Sequence, residues 1–221
     1  MSENNGKARN TVIWTAAGIA AAAATYFLVL RPRHLHWGAT KKEVEGYLPG
    51  DALLQDPDTV ATHAITIDAP LLDVWPWIAQ IGQDKGGFYS YTMLENLVGC
   101  DMHNTDEIHP EWQEVQQGDV IHFHPKFPPA PIEMLETGQH LVVASDLHGP
   151  GAYVWAFALR DLGNGKTRFL VRLRSRGHRG VGRAADLLLT EPAHFVMERK
   201  MMLTIKRLAE HRAHARPEIA A

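Results

Sequence analysis

AYVWAFALRDLGNGKTRFLVRLRSR, residues 152–176, decides how the rest of the chain is read. Tyr153, Trp155, Phe157 and Leu159 recur at every second position, and so do Phe169, Val171 and Leu173 in the second half. A period of two places each set on one face of a strand. Gly163-Asn164-Gly165 lies between the halves, and an Asn-Gly pair supplies the positive φ angles of a tight hairpin. The aromatic faces of the two strands are therefore expected to meet a core. By the same parity Arg168, Arg172, Arg174 and Arg176 are expected to point to water.

The same pattern continues upstream. PIEMLE and HLVVASD read as two short strands joined at Thr137-Gly138. Before them VIHFH, residues 120–124, reads as a strand with Val120, His122 and His124 on one face and Ile121 and Phe123 on the other. Downstream, residues 183–214 turn helical, with His194, Met197, Met201, Ile205 and Leu208 recurring every three or four positions. Glu191-Pro192 is expected to divide that stretch into a short helix and a long one. Near the other end THAITID, residues 62–68, alternates so that His63, Ile65 and Ile67 share a face. Pro70 fits a first helical turn, and Leu71, Val74, Trp75, Ile78 and Ile81 then follow at helical spacing. That helix is expected to bend or restart at Pro76, and residues 90–98 read as another short helix. Strand, helices, a run of antiparallel strands and a terminal helix make an α+β chain in which one sheet needs one helix to cover it. A curved sheet wrapped around that helix would enclose space.

Residues 12–30, VIWTAAGIAAAAATYFLVL, carry no charge and as a helix would cover about 28 Å, the thickness of a bilayer's hydrocarbon. The stretch stops at Arg31-Pro32-Arg33, so it reads as an N-terminal transmembrane helix. A cleaved signal peptide is the alternative, with Lys7 and Arg9 as its basic start and Ala22-Ala23-Ala24 at its cleavage site. Arg31, Arg33, Lys41 and Lys42 after the stretch outnumber Lys7 and Arg9 before it, which places the globular domain on the cytoplasmic side of a single-pass membrane protein. Ala16, Ala20 and Ala24 form a small-residue stripe suited to a second copy, or serve simply as filler. The domain organisation expected is a tail over 1–11, the membrane segment over 12–30, a linker and lead-in over 31–60, a folded domain over 61–214 and a tail over 215–221.

Composition narrows the function classes. Twenty-two Lys and Arg against 25 Asp and Glu give a net charge of −3, which supplies no electrostatic drive toward nucleic acid. A single cysteine, Cys100, can form neither an internal disulfide nor a cysteine metal cluster, and reads as a small buried group. His122 and His124 share a strand face in this reading and His103 and His109 precede them, yet no HExxH pattern or cysteine pair completes a metal site. No cofactor or metal is expected. Cys100 and His103 make no nucleophile motif, and Asp101, Asp106, Glu107, Glu111 and Glu114 read as caps and solvated charges. Glu198 and Arg199 adjoin the methionine stripe and are expected to pair with neighbours that fix the helix. SRGHRGVGR, residues 175–183, matches no phosphate-binding fingerprint. Its Arg176, Arg179 and Arg183 suit anionic lipid headgroups or plain solvent. Phe127, in a proline-rich turn, suits either a bilayer surface or the cap of a pocket.

Taken in order, TIDAP, VWPWIAQIG, GFYSYTMLENL, HPEWQEVQQGD and EPAHFVMERKM resemble the START-like (SRPBCC) superfamily, also called the polyketide cyclase or Bet v 1-like group, over about residues 37–210. The resemblance implies a helix-grip fold: a curved antiparallel sheet wrapped around a long C-terminal helix, with a pocket for an apolar ligand between them. It carries no catalytic motif onto this chain. With it, Trp77, Tyr89, Tyr91, Trp112, His122, Trp155, Phe157, Met197 and Met201 become the expected ligand-binding residues, large or adaptable side chains with a few polar handles. The function expected is a membrane-anchored binding or carrier domain for a small hydrophobic ligand such as a lipid, quinone or polyketide-like compound. A cyclase, dehydratase or hydrolase using His122 or Tyr91 in the same cavity is one alternative, and a protein-interaction scaffold another.

Overall fold

The computed structural model describes residues 14–15, 17–18, 20–149 and 151–215. Helix α1 (Arg31–Leu35) and α2 (Lys41–Glu45) lead into strand β1 (Thr59–Ile67), then α3 (Leu71–Ala79) and α4 (Thr92–Leu97). Strands β2 (Val120–Ile121), β3 (Ala130–Glu136), β4 (His140–Ser145), β5 (Tyr153–Gly163) and β6 (Lys166–Ser175) follow, then α5 (Val181–Ala185) and α6 (Glu191–Ala215). The six strands form one sheet in the order β1-β6-β5-β4-β3-β2, and every neighbouring pair is antiparallel. Asn164 and Gly165, at φ 52° and 69°, close the β5–β6 hairpin as the Asn-Gly pair requires.

Parity along the central hairpin gives the inner face. Trp155, Phe157 and Leu159 on β5 and Phe169 and Val171 on β6 are buried against Val74, Ile78 and Ile81 from the α3 region and Met201, Met202, Ile205 and Leu208 of α6. Removing each such side chain from water stabilises the fold by roughly 1.5–3 kcal/mol. Arg212 Nε donates to the buried Asp73 Oδ1 at 3.1 Å, and Lys206 Nζ donates to Thr66 O at 2.8 Å. These bonds tie α6 to α3 and β1.

The outer face departs from expectation. Arg172 does not reach water; it is 3% exposed. Residues 38–55 fold back over that face and cover it. Leu54 packs on Val142, Ala144, Val154 and Ala156, and Leu48 on Ala64, Ala158 and Leu170. All five N–H groups of Arg172 are used: Nε donates to Thr62 Oγ1, Nη1 to Gly46 O and Asp51 Oδ2, and Nη2 to the carbonyls of Glu43 and Val44, at 2.6–3.0 Å. Arg168 forks onto both oxygens of Glu43 at 2.7 and 2.8 Å, and this bond holds the Glu43 carboxyl down at about 2. Arg174 donates to Leu54 O at 3.0 Å and Arg176 to Leu147 O at 3.2 Å. The lead-in is thus an ordered layer, because Arg168, Arg172 and Arg174 each bond backbone carbonyls that it brings.

Two other expectations are corrected. No break occurs at Glu191-Pro192; a π turn, Asp186–Thr190, joins α5 to α6, with Glu191 N–H bonded to Asp186 O. Proline cannot donate to the carbonyl four residues before it, and a wider turn accommodates that loss. Nor does Pro76 divide α3, which runs through it from Pro70 as its N-cap.

Among the described residues no helix is long and apolar enough to cross a membrane. Val12, Ile13, Ala16 and Ile19 of the uncharged stretch lie outside the described residues, as do Lys7 and Arg9, the rest of the expected 1–11 tail, and all of the expected C-terminal tail after Ala215. The described end of the stretch is helical over residues 20–25 and passes through a π turn, Tyr26–Leu30, into α1. It is docked on the start of α6. Tyr26 Oη donates to Leu187 O, and Arg31 forks onto Glu191 at 2.9 Å through both Nε and Nη2.

Candidate functional site

A cavity of about 590 Å³ lies between the inner face of the sheet and the first turns of α6. β1 contributes Ala61 and His63, β5 Tyr153 and Trp155, β6 Leu173, α4 Glu95, and α6 His194, Phe195, Met197, Glu198 and Met201. One wall is a cluster of rings. Phe88 stacks on Phe123 and Trp155 with centroids 5.0 and 6.0 Å apart, and Tyr153 meets Phe123 edge-on at 6.2 Å. Phe127, 67% exposed, and the exposed His178 and Thr190 mark where the cavity opens.

In this apolar surrounding His63, Trp155 and His194 converge on one carboxylate. Glu198 is 3% exposed; one of its oxygens accepts from His63 Nδ1, and the other accepts from Trp155 Nε1 at 2.7 Å. His63 Nε2 lies 2.6 Å from the carbonyl oxygen of His34. Both neighbours of the His63 ring are acceptors, so both ring nitrogens carry protons and the ring is an imidazolium. Burial alone would lower its pKa, but the Glu198 charge and the two hydrogen bonds together outweigh burial and raise it. Burial likewise works against the Glu198 carboxylate, yet the His63 charge and bond, with His194 and Trp155, hold its pKa below the usual range.

His194 is the counterpart. Its Nε2 lies 3.7 Å from Glu198, outside hydrogen-bond distance, while its ring faces Trp155 at 5.6 Å. Burial lowers its pKa, and the attraction of Glu198, partly offset by the repulsion of His63, does not restore it. The carboxylate therefore holds one histidine charged and leaves the other neutral. Environments that push two imidazoles apart in this way separate a fixed cation from a free acceptor.

Of the residues expected from sequence, Trp155, Met197 and Met201 line the cavity. Phe157 sits behind Trp155, with ring centroids 4.6 Å apart, as fully buried core. Trp77 and Tyr89 meet edge-on at 5.9 Å in the core, where Tyr89 Oη accepts from Gln80 Nε2, and burial pushes the Tyr89 phenol pKa up from its ordinary value. Tyr91 is the exposed N-cap of α4 beneath Lys200, and Trp112 stacks on His109 away from the cavity. His122 does not reach the cavity, because β2 ends at Ile121 and its parity is lost; Phe123 lines it instead. His124 turns to Val98 O at 3.2 Å, so the two imidazoles do not share a strand face. Arg199 lies over Trp37 rather than in an ion pair. Arg183 lies 3.4 Å from Asp58 O, and Cys100 borders the cavity, where burial raises its thiol pKa.

Sequence reasoning passed over His63, His194 and Glu95. The first two had a visible signal, since each imidazole sits in register with apolar neighbours that point inward. Glu95 had none.

No family model and no curated protein matches the sequence. Solved structures similar to it include the Polyketide_cyc-like protein Cgl2372 from Corynebacterium glutamicum, at 13% identity and TM-score 0.35 over 72% of this chain and 96% of that one. CalU16 from Micromonospora echinospora is similar at 14% identity and TM-score 0.34, over 71% of this chain and 86% of that one. A protein from Arthrobacter aurescens is similar at 16% identity and TM-score 0.40, over 80% and 98%. The strand order β1-β6-β5-β4-β3-β2, closed by one long C-terminal helix, is the α+β helix-grip arrangement expected from the sequence.

Proposed function

We propose that this domain binds a small hydrophobic molecule, such as a lipid, quinone or polyketide-like compound, in the cavity between sheet and α6. The observation that carries the reading is a space of about 590 Å³ walled by rings and methionines, within the range of ordinary ligand sites. Apolar area removed from water at about 25 cal/mol per Å² supplies affinity. In the interior of the cavity His63 and Glu198 neutralise each other, so a neutral ligand can lie against this pair without leaving either charge unpaired. The uncharged stretch 12–30 tethers the domain to a membrane, with the domain on the cytoplasmic side. Phe27, Leu28 and Leu30 within that stretch, and Leu188 and Leu189 next to its docked end, support this by exposing apolar surface.

The test is extraction of the purified full-length chain with chloroform and methanol, followed by mass spectrometry, and titration of the extracted protein with N-phenyl-1-naphthylamine. One equivalent of a hydrophobic compound, or saturable fluorescence at one site, is expected. Absence of both removes the reading. Alkaline carbonate washing of membranes tests the tether separately, because a tethered chain stays in the pellet.

His194 favours a second reading, an enzyme of cyclase, dehydratase or hydrolase type. A neutral imidazole inside an apolar cavity is a competent proton acceptor. Turnover of the extracted compound that is lost in His194→Gln while binding persists would select it over carriage.

A further inference from the structure

One buried acid in the cavity takes no part in the Glu198 cluster. Glu95 of α4 is 3% exposed and lines the cavity, and its Oε2 is enclosed without any hydrogen-bond partner. The titratable group beside it is the Cys100 thiol, which brings no positive charge.

An ionised carboxylate spreads its charge over both oxygens. In Glu95 half of that charge would rest on an oxygen sealed from water and from any donor, which is among the costliest arrangements in a protein interior. The neutral acid avoids this cost. Burial pushes the Glu95 pKa upward, in the same direction. A neutral carboxyl has one O–H to donate. With Oε2 enclosed and serving as the carbonyl oxygen, that O–H belongs to Oε1, and the open space available to it is the cavity.

We propose that Glu95 is a ligand-recognition residue which, as a neutral acid, donates a hydrogen bond to a carbonyl oxygen on the bound hydrophobic molecule. The inference rests on the cavity-binding reading above and narrows its ligand class to ketones, quinones and esters rather than plain hydrocarbons or amines. An ammonium ligand would need Glu95 ionised and would leave Oε2 charged and unpartnered.

Three naphthalenes of nearly equal shape test this by calorimetry on the full-length chain: 2-acetylnaphthalene, the isosteric hydrocarbon 2-isopropenylnaphthalene, and 1-(2-naphthyl)ethylamine. The ratio of the hydrocarbon Kd to the ketone Kd is expected to fall about fivefold from the wild type to Glu95→Leu, and to be largely retained in Glu95→Gln, which keeps an N–H donor. The infrared carbonyl band of the ketone bound to wild-type protein is expected below its position in hexane, a measurement that needs no variant. A ratio unchanged in Glu95→Leu, an unshifted carbonyl band, or tighter binding of the amine than of the ketone overturns the assignment while leaving the cavity reading intact. If none of the three binds the wild type, the cavity reading falls and takes this assignment with it.

Discussion

His63 and Glu198, 135 residues apart in sequence, meet inside the domain with the imidazole Nδ1 against one carboxylate oxygen. The other nitrogen of the ring is spent on His34 O, so the pair is an ion pair with both partners fixed. His194 sits on the far side of the same carboxylate without a bond to it.

Two histidines shifted in opposite directions give stability a maximum in pH. His63 titrates above its ordinary 6.5 when folded, so its contribution is complete below 6.5 and is lost as pH rises toward the folded value. His194 titrates below 6.5 when folded. The unfolded chain therefore binds that proton first, and stability falls as pH drops below 6.5. Urea unfolding across pH 5 to 9 is expected to peak near 6.5. In His63→Gln the decline above the peak should flatten, and in His194→Gln the decline below it. If neither variant alters its limb, the two ring states are misassigned.

Removing the carboxylate tests the pair differently. Glu198→Ala leaves His63 Nδ1–H and the Trp155 N–H buried without an acceptor and the imidazolium without its counter-charge, and breaking a buried pair from one side costs about 3–5 kcal/mol. Glu198→Gln keeps an acceptor and is expected to cost less. Chemical denaturation orders the two variants, and equal losses would argue that packing rather than charge sets the cost.

Much of this fold is legible in the alternation of β5 and β6, because a period of two and an Asn-Gly turn are local properties. The inward register of α6 is legible for the same reason. Burial of Arg172 was not, since nothing local says that residues 43–51 will return to supply its carbonyls. His122 is not legible because VIHFH alternates as a strand over residues 120–124, while the chain leaves the sheet after Ile121. The candidate site combines residues from β1, α4, β5 and α6 that are far apart in sequence. Each looked like an ordinary core or surface position, and only the folded chain brings them to one cavity.

Arg172 holds the lead-in on the sheet, so its loss should act at a distance. Arg172→Ala takes the guanidinium from Asp51, which keeps only Leu48 N–H and the longer Arg174 pair, leaves the carbonyls of Glu43, Val44 and Gly46 without this donor, and is expected to destabilise the domain by about 3–5 kcal/mol. Arg172→Lys should recover little of this, because an ammonium cannot reach five acceptors in one plane. Trypsin should then cut at Lys41 or Lys42 faster than in the wild type. Unchanged cleavage would mean that Leu48 and Leu54 alone retain the layer.

Gly50 makes a sharper local test. Its φ is 91°, and a Cβ placed there would lie 2.7 Å from Val142 Cγ1 and 3.0 Å from Val154 Cγ1. Gly50→Ala therefore combines a left-handed backbone with a clash against the buried outer face. About 1–3 kcal/mol of destabilisation is expected in urea unfolding.

Cys100 reports on the occupancy of the cavity without any substitution. Its thiol borders the space, and burial raises its pKa from the ordinary 9.0, so little thiolate is present at pH 7.5. Alkylation by iodoacetamide should accordingly run slower than for free cysteine. A molecule filling the cavity removes the approach path as well, and saturating N-phenyl-1-naphthylamine should slow the reaction further. The two effects separate with pH. Raising pH to 9.5 increases the thiolate fraction in both states but does not clear the path, so the ratio of occupied to empty rates should persist. A ratio that moved to one at high pH would mean the probe had acted on thiol ionisation alone, from some position other than the cavity.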